Sequence, residues 1–135
     1  MPDLPPRIKV TPEDIARVVH RFYARTRLHP VLRPVFAAHV TDWPAHEARI
    51  IRFWCSAILG EGGYDGSPML AHRRAGNVTA AHFPVWLALF DTVLREELPP
   101  GPAAQWSALA HRIGRGLRQG VADVGRSADE TPKLL

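Results

Sequence analysis

The sequence predicts an all-α domain, and three observations carry that prediction. Apolar residues recur at the 3.6-residue helical period along most of the chain, while period-two alternation is nearly absent. The periodic stretches are separated by helix-breaking segments: Pro30, Gly60-Glu61-Gly62-Gly63, Gly76-Asn77 and Pro99-Pro100-Gly101-Pro102. The chain has 135 residues, 46% of them hydrophobic, which is enough to bury one core. There is no internal repeat.

The elements follow in order. The first helix opens at Thr11-Pro12-Glu13-Asp14: a capping hydroxyl, a proline at the first helical position, and two acids facing the positive helix end. Its inner face is Ile15, Val18, Val19 and Phe22, with Tyr23 at the edge, and it ends before Pro30. The apolar stretch 31–38 forms one or two turns. A second helix opens around Thr41-Asp42-Trp43-Pro44 and runs to Leu59, where Gly60 supplies the left-handed stop. Its inner stripe reads His46, Ile50, Phe53, Trp54 and Ala57, with Cys55 on the other side. Ser67-Pro68 starts a short helix from Met69 to Arg74 that carries His72. A third long helix spans 81–98, tolerating Pro84 only in its first turn, with His82, Trp86, Leu89, Phe90 and Val93 inward. The last helix spans 103–124, with Trp106, Leu109, Ala110, Ile113, Leu117 and Val121 inward. The division expected is an N-terminal extension over 1–10, a helical domain over 11–124 and a polar, frayed tail over 125–135.

Composition narrows the function classes. The 17 basic and 13 acidic residues leave a net charge of +4, scattered without a long basic run, so no nucleic-acid footprint is expected. Cys55 stands alone, which excludes an internal disulfide and a cysteine-based zinc cluster and fits a reducing compartment. The N-terminal stretch lacks the apolar core of a secretory signal. The longest uncharged stretch, 75–90, is too short and too broken to span a bilayer. A soluble, cytoplasmic chain with no membrane partner is expected.

Helix packing accounts for most of the aromatics, but not for a histidine in the middle of the second helix's apolar stripe. His46 reads either as a satisfied core imidazole or as a gate over a ligand. His72, on its short proline-started turn, reads either as a surface residue or as an axial iron ligand. Tyr23 can bury its ring and keep its hydroxyl available, and Trp86 carries an indole N–H that only donates. For both, core packing is the alternative. His82 rivals His72 but stands at a helix start, where capping or exposure fits better. His20, His29, His39 and His111 join no constellation and read as surface. Imidazoles and amphipathic aromatics converging from separate helices point to a pocket for a flat, apolar, metal-bearing ligand, read here as haem.

With these residues in hand, the chain resembles the truncated haemoglobins, specifically their third group. The resemblance is carried by IARVVHRFYARTRLHPVLRPVF, DWPAHEARIIRFWCSAILGEGGYDGSPMLAH and HFPVWLALFDTVL, with a weaker match in the last helix. Distinctive as a set are Phe22-Tyr23, Trp43 with His46, Phe53-Trp54, and the run from Tyr64 through Gly66 and Pro68 to His72. The resemblance implies a shortened globin fold, a two-over-two helical sandwich around haem b. It implies His72 as proximal ligand and Tyr23, His46 and Trp86 on the distal side. It implies a pocket lined by Ile50, Phe53, Trp54, Leu89 and Phe90, with contributions from Phe22, Phe36, Met69 and Leu70. Arg49 would reach a haem propionate, with a solvated arginine as the alternative; Arg73 and Arg74 are weaker candidates.

The function expected is binding of dioxygen, nitric oxide or other diatomic ligands at ferrous haem. Two donors on the distal side would hold oxygen too tightly for storage. The expectation is therefore oxygen, nitric-oxide or peroxide chemistry, as in a nitric-oxide dioxygenase or a peroxidase, fed by an external electron donor. The rivals are a haem-based gas sensor, for which no output segment is visible, and a haem-free helical interaction module.

Overall fold

The computed structural model describes residues 8–38, 40–61 and 81–126. Among these residues there are five helices and no strand: α1 (Pro12–Thr26), α2 (Leu32–Ala37), α3 (Trp43–Leu59), α4 (His82–Glu97) and α5 (Pro100–Arg126). No described helix is long and apolar enough to cross a membrane.

The helix ends show why the segments start and stop where they do. Thr11 and Asp14 form a capping box: the Thr11 hydroxyl accepts from the Asp14 N–H at 3.0 Å, and the Asp14 carboxylate accepts from the Thr11 N–H at 3.0 Å. That bond, reinforced by Arg17, holds the Asp14 carboxyl below its ordinary value. Asp42 caps α3 by accepting from the Ala45 N–H at 3.1 Å. Gly60 closes α3 with φ of 74°, a left-handed conformation that suits glycine. α1 ends at Thr26, earlier than Pro30 required; the Thr26 hydroxyl turns back onto the Phe22 carbonyl at 2.9 Å. The Pro99–Pro102 run, expected as a break, is instead the first turn of α5. The Pro99 carbonyl accepts from the Ala103 N–H, and the prolines at 100 and 102 stand where a helix has no use for their missing N–H groups.

Helix α1 packs on α3 and α4, α4 packs on α5, and α2 leans on α4. Two helix pairs, α1 with α3 and α4 with α5, are thus joined through the α1–α4 contact. Trp106, Phe22, Phe90, Ile15, Leu94, Val18 and Val93 are all but fully enclosed where the pairs meet. Ile8 and Val10, just before α1, are buried in the same core. Each such side chain stabilises the fold by about 1.5–3 kcal/mol relative to exposure. Gly114 lets α5 come close to α4, since a Cβ there would sit 3.1 Å from Leu87 Cδ1.

Two predicted stripes need correction. On α3 the core face is Glu47, Trp54, Cys55 and Ile58, while His46, Ile50 and Phe53 are half-buried and Ala57 is exposed. On α4 the core face is Phe83, Leu87, Phe90, Val93 and Leu94, while His82, Trp86 and Leu89 are half-buried. The buried faces stand about one residue, roughly 100°, around each helix from the expected ones. Both helices carry two apolar stripes, and only one of them meets the neighbouring helices.

Candidate functional site

The second stripes frame the site. Tyr23 on α1 is 5% exposed and sits at the centre of a ring cluster. Its ring lies edge-on to His46 at 5.0 Å between centroids, to Phe36 at 5.6 Å and to Phe22 at 5.0 Å, with Trp43 tilted at 5.8 Å. Trp43 stands edge-on to His46 at 5.9 Å. The clustered rings come from α1, α2 and α3, so three helices fix the surroundings of one phenol.

A second group of rings adjoins the first through Phe22, which is edge-on to Trp86 at 5.8 Å and to Phe90 at 5.3 Å. Trp86 stacks on Phe90 at 5.5 Å with only 2° between planes, and Trp54 stacks on Phe90 at 5.7 Å. Trp106 closes the group from α5, 5.4 Å from Trp54 and 5.6 Å from Phe90. Offset and edge-on pairs of this kind add about 0.5–1.5 kcal/mol each beyond burial. The result is a stiff wall, with Trp86 as its half-buried outer member.

The Tyr23 ring is buried, and its hydroxyl makes no hydrogen bond among the described residues. Buried phenols ordinarily find one. Burial, with the Glu47 charge adding to it and Arg49 opposing, pushes the phenol far above its ordinary pKa of 10. Tyr23 therefore stays protonated at working pH and keeps a proton to donate.

Beneath this cluster lies a polar network that sequence reasoning missed. Glu47 is 8% exposed. Its Oε2 accepts from an Arg27 terminal nitrogen at 2.6 Å, and its Oε1 lies 2.9 Å from His20 Nδ1. The Arg27 guanidinium also lies over the Trp43 ring at 4.5 Å. Nothing in the local pattern marks Glu47, because its partners come from another helix. His20, read as a surface residue, has a largely exposed ring that nonetheless meets Glu47. His29 accepts from the Val31 and Leu32 N–H groups through Nδ1 at 3.1 and 3.3 Å and caps α2. His111 pairs with Asp91 at 2.8 Å, and Ser107 donates to the same carboxylate at 2.6 Å, tying α5 to α4. These three histidines are therefore tethers as well as surface residues.

Of the expected site residues, Tyr23, His46, Phe22 and Phe36 meet directly, and Trp86, Trp54 and Phe90 join them through Phe22. Phe22 and Trp54 are enclosed in the core. Ile50, Phe53 and Leu89 lie half-buried on the second stripes, and Arg49 is exposed at their margin. His72, Met69 and Leu70, with His39, Arg73 and Arg74, lie outside the described residues.

This arrangement fits haem. Apolar surface on α3 and α4 is only partly covered, as the walls of a slot for a flat apolar group would be. A phenol proton with no acceptor among the described residues, beside an imidazole, would supply the donor chemistry for a polar ligand inside such a slot.

Comparison with known proteins agrees. The family model described as bacterial-like globin matches residues 10–108. The group 3 truncated haemoglobin of Campylobacter jejuni is 33% identical over 89 residues, which is 63% of this chain and 70% of that protein. The crystal structure of the group III truncated haemoglobin from Campylobacter jejuni superposes with a TM-score of 0.78 at 28% identity, covering 84% of this chain and 92% of that one. The all-helical fold and these matches together place the protein in the bacterial-like globin family, as a haem-binding globin of the group III truncated haemoglobins.

Proposed function

We propose that the protein binds haem b between α3 and α4, with His72 as the axial ligand, and handles dioxygen, nitric oxide or peroxide on the side lined by Tyr23, His46 and Trp86. The single observation that supports this reading best is the Tyr23 phenol, buried among four rings and held protonated by that burial. Ile50, Phe53, Leu89 and Phe90 would hold the porphyrin faces, with Phe22, Phe36 and Trp54 behind them and Met69 and Leu70 beside His72. Arg49 would meet a propionate.

Haem held there would supply a ferrous iron able to take a diatomic ligand. A donor already aimed at a ligand carrying partial negative charge would stabilise it without reorganising. Tyr23 is held from four sides by rings, so its hydroxyl is pre-oriented. Trp86 is held flat against Phe90 and brings an indole N–H from the other helix pair. His46 is half-buried next to Tyr23 and is the side chain able to admit ligand by swinging outward. A hydrogen bond to a charged group contributes about 1.5–3 kcal/mol. Two of them favour retention over delivery, and hence turnover of oxygen, nitric oxide or peroxide with electrons from an external donor.

Stopped-flow oxygen release tests the reading. Tyr23→Phe should speed release by about 10- to 150-fold, the same energy expressed as a rate. Trp86→Phe should act in the same direction. Unchanged release in both variants would overturn the donor assignment.

A further inference from the structure

Glu47 is a carboxylate in a place where a carboxylate is costly. It is nearly enclosed on the core face of α3, next in sequence to His46. Burying a charge is tolerated only when it is paired and hydrogen-bonded. Its two oxygens are used separately: Oε1 meets His20 and Oε2 meets Arg27. His20, Tyr23 and Arg27 are spaced three and then four residues apart along α1, so they share one helix face. Glu47 therefore spans α1 across the position of Tyr23, with an anchor one turn to either side.

Arg27 extends the reach of this bridge. Its guanidinium, fixed at one end by Glu47, covers the face of Trp43, and Trp43 in turn abuts both Tyr23 and His46. Arg27 Nε is buried with no hydrogen-bond acceptor among the described residues. The side chain is thus held by the carboxylate and the indole face, and loosening either one frees it. Two independent lines of contact run from Glu47 to the ligand-facing pair: the backbone step to His46, and the Arg27–Trp43 layer against Tyr23 and His46.

We propose that Glu47 and Arg27 are positioning residues of the distal side: the ion pair between α1 and α3 fixes how closely His46 and Tyr23 approach, and so sets ligand retention without touching the ligand. The inference rests on the proposed role of Tyr23. The pair acts as one unit. Removing Arg27 leaves Glu47 with His20 alone and uncovers Trp43; removing Glu47 leaves the Arg27 guanidinium without the carboxylate that fixes it over that ring.

The test uses the haem-loaded protein with carbon monoxide and oxygen as probes. Glu47→Gln keeps the size and removes the charge; Arg27→Gln removes the other partner; Arg27→Lys keeps the charge but not the planar fork; Tyr23→Phe is the reference. The readouts are oxygen release by stopped flow and the Fe–CO and C–O stretching frequencies, which report the polarity facing the ligand. Glu47→Gln and Arg27→Gln should each change release by about tenfold, a shift of about 1.4 kcal/mol, and should broaden or split the C–O band. The double variant should go no further than either single one, because the pair is one device. Arg27→Lys should fall between Arg27→Gln and the unaltered protein. If Tyr23→Phe moves both readouts while the Glu47 and Arg27 variants leave them unmoved, the positioning role is wrong and the Tyr23 reading stands. Additive effects in the double variant would also refute it. If Tyr23→Phe moves neither readout, the ligand-donor reading fails and this inference fails with it.

Discussion

Replacing Trp106 with phenylalanine should cost little or even stabilise the protein, although Trp106 is the largest fully enclosed side chain in the core. The expectation follows from two opposed terms. Shrinking the indole to a phenyl ring leaves a void of some tens of Å³, which at about 24 cal/mol per Å³ costs about 1 kcal/mol. Against that stands the indole nitrogen, which is buried and has no hydrogen-bond partner among the described residues. An unsatisfied buried donor costs about 1–3 kcal/mol, and phenylalanine removes it. The edge-on contacts with Trp54 and Phe90, at 5.4 and 5.6 Å, survive in kind because a phenyl ring can make both. The transfer free energy of the lost carbons adds about 1 kcal/mol to the cost of the void, so the net change lies within about 1 kcal/mol of zero. Trp106→Ala removes the same donor, but the far larger void outweighs that gain and the variant should lose about 3–5 kcal/mol, a large share of the total stability of a domain this size. Urea unfolding followed by circular dichroism, at equal haem loading and with unchanged m-value, measures both variants. A loss above about 2 kcal/mol in Trp106→Phe would show instead that the indole N–H is satisfied, with the Trp54 or Phe90 ring face as its acceptor.

Three further outcomes follow from local geometry. Asp14→Ala should cost about 1 kcal/mol by removing half of the capping box. The Asp14 carboxyl titrates below its ordinary value of 3.8 in the folded chain, so its contribution is complete above that pH and is lost as pH falls through the lower, folded value; the gap between variant and parent in urea unfolding should close there. Gly60→Ala should lose about 1–2 kcal/mol, because φ of 74° is left-handed; an unchanged midpoint would mean that the end of α3 rearranges freely. Cys55 should resist thiol reagents in the folded protein and react on unfolding, since it is buried and burial first, then Glu61 and Glu13, raise its thiol pKa; rapid labelling of the native chain would show that the α3 core face opens.

The helix starts were legible because their signals are local. Thr11 with Pro12 and Asp42 with Pro44 each begin a helix where the residue types demand, and Gly60 ends one. The core face of α1 was legible for the same reason, since α1 is buried along a single stripe from Ile15 to Phe22. The orientation of α3 and α4 was not. Each carries two apolar stripes, and periodicity does not say which one meets protein and which faces a ligand. The periodicity marks His46, Ile50, Phe53 and Trp54 as one inward stripe; Trp54 is indeed buried, but Glu47, Cys55 and Ile58 share the core face with it while His46, Ile50 and Phe53 are half-buried. Cys55 was placed on the wrong side by the same ambiguity. Glu47 could not be read at all, because a glutamate in a helix is ordinarily solvated and its partners lie 27 and 20 residues away, on α1 and at its C-terminal cap. The Pro99–Pro102 run misled in the opposite direction, since the signal that stops a helix also suits the first turn of one.

Absorption spectra of the purified, haem-supplied protein and of His72→Ala decide whether the imidazole of His72 holds the iron. The parent chain should show a Soret band with a histidine-ligated ferrous form, and the variant should lose that ligation and retain haem more weakly. A parent chain without a Soret band, or a His72→Ala spectrum identical to the parent in ferric, ferrous and carbon-monoxide-bound forms, would overturn the assignment of His72.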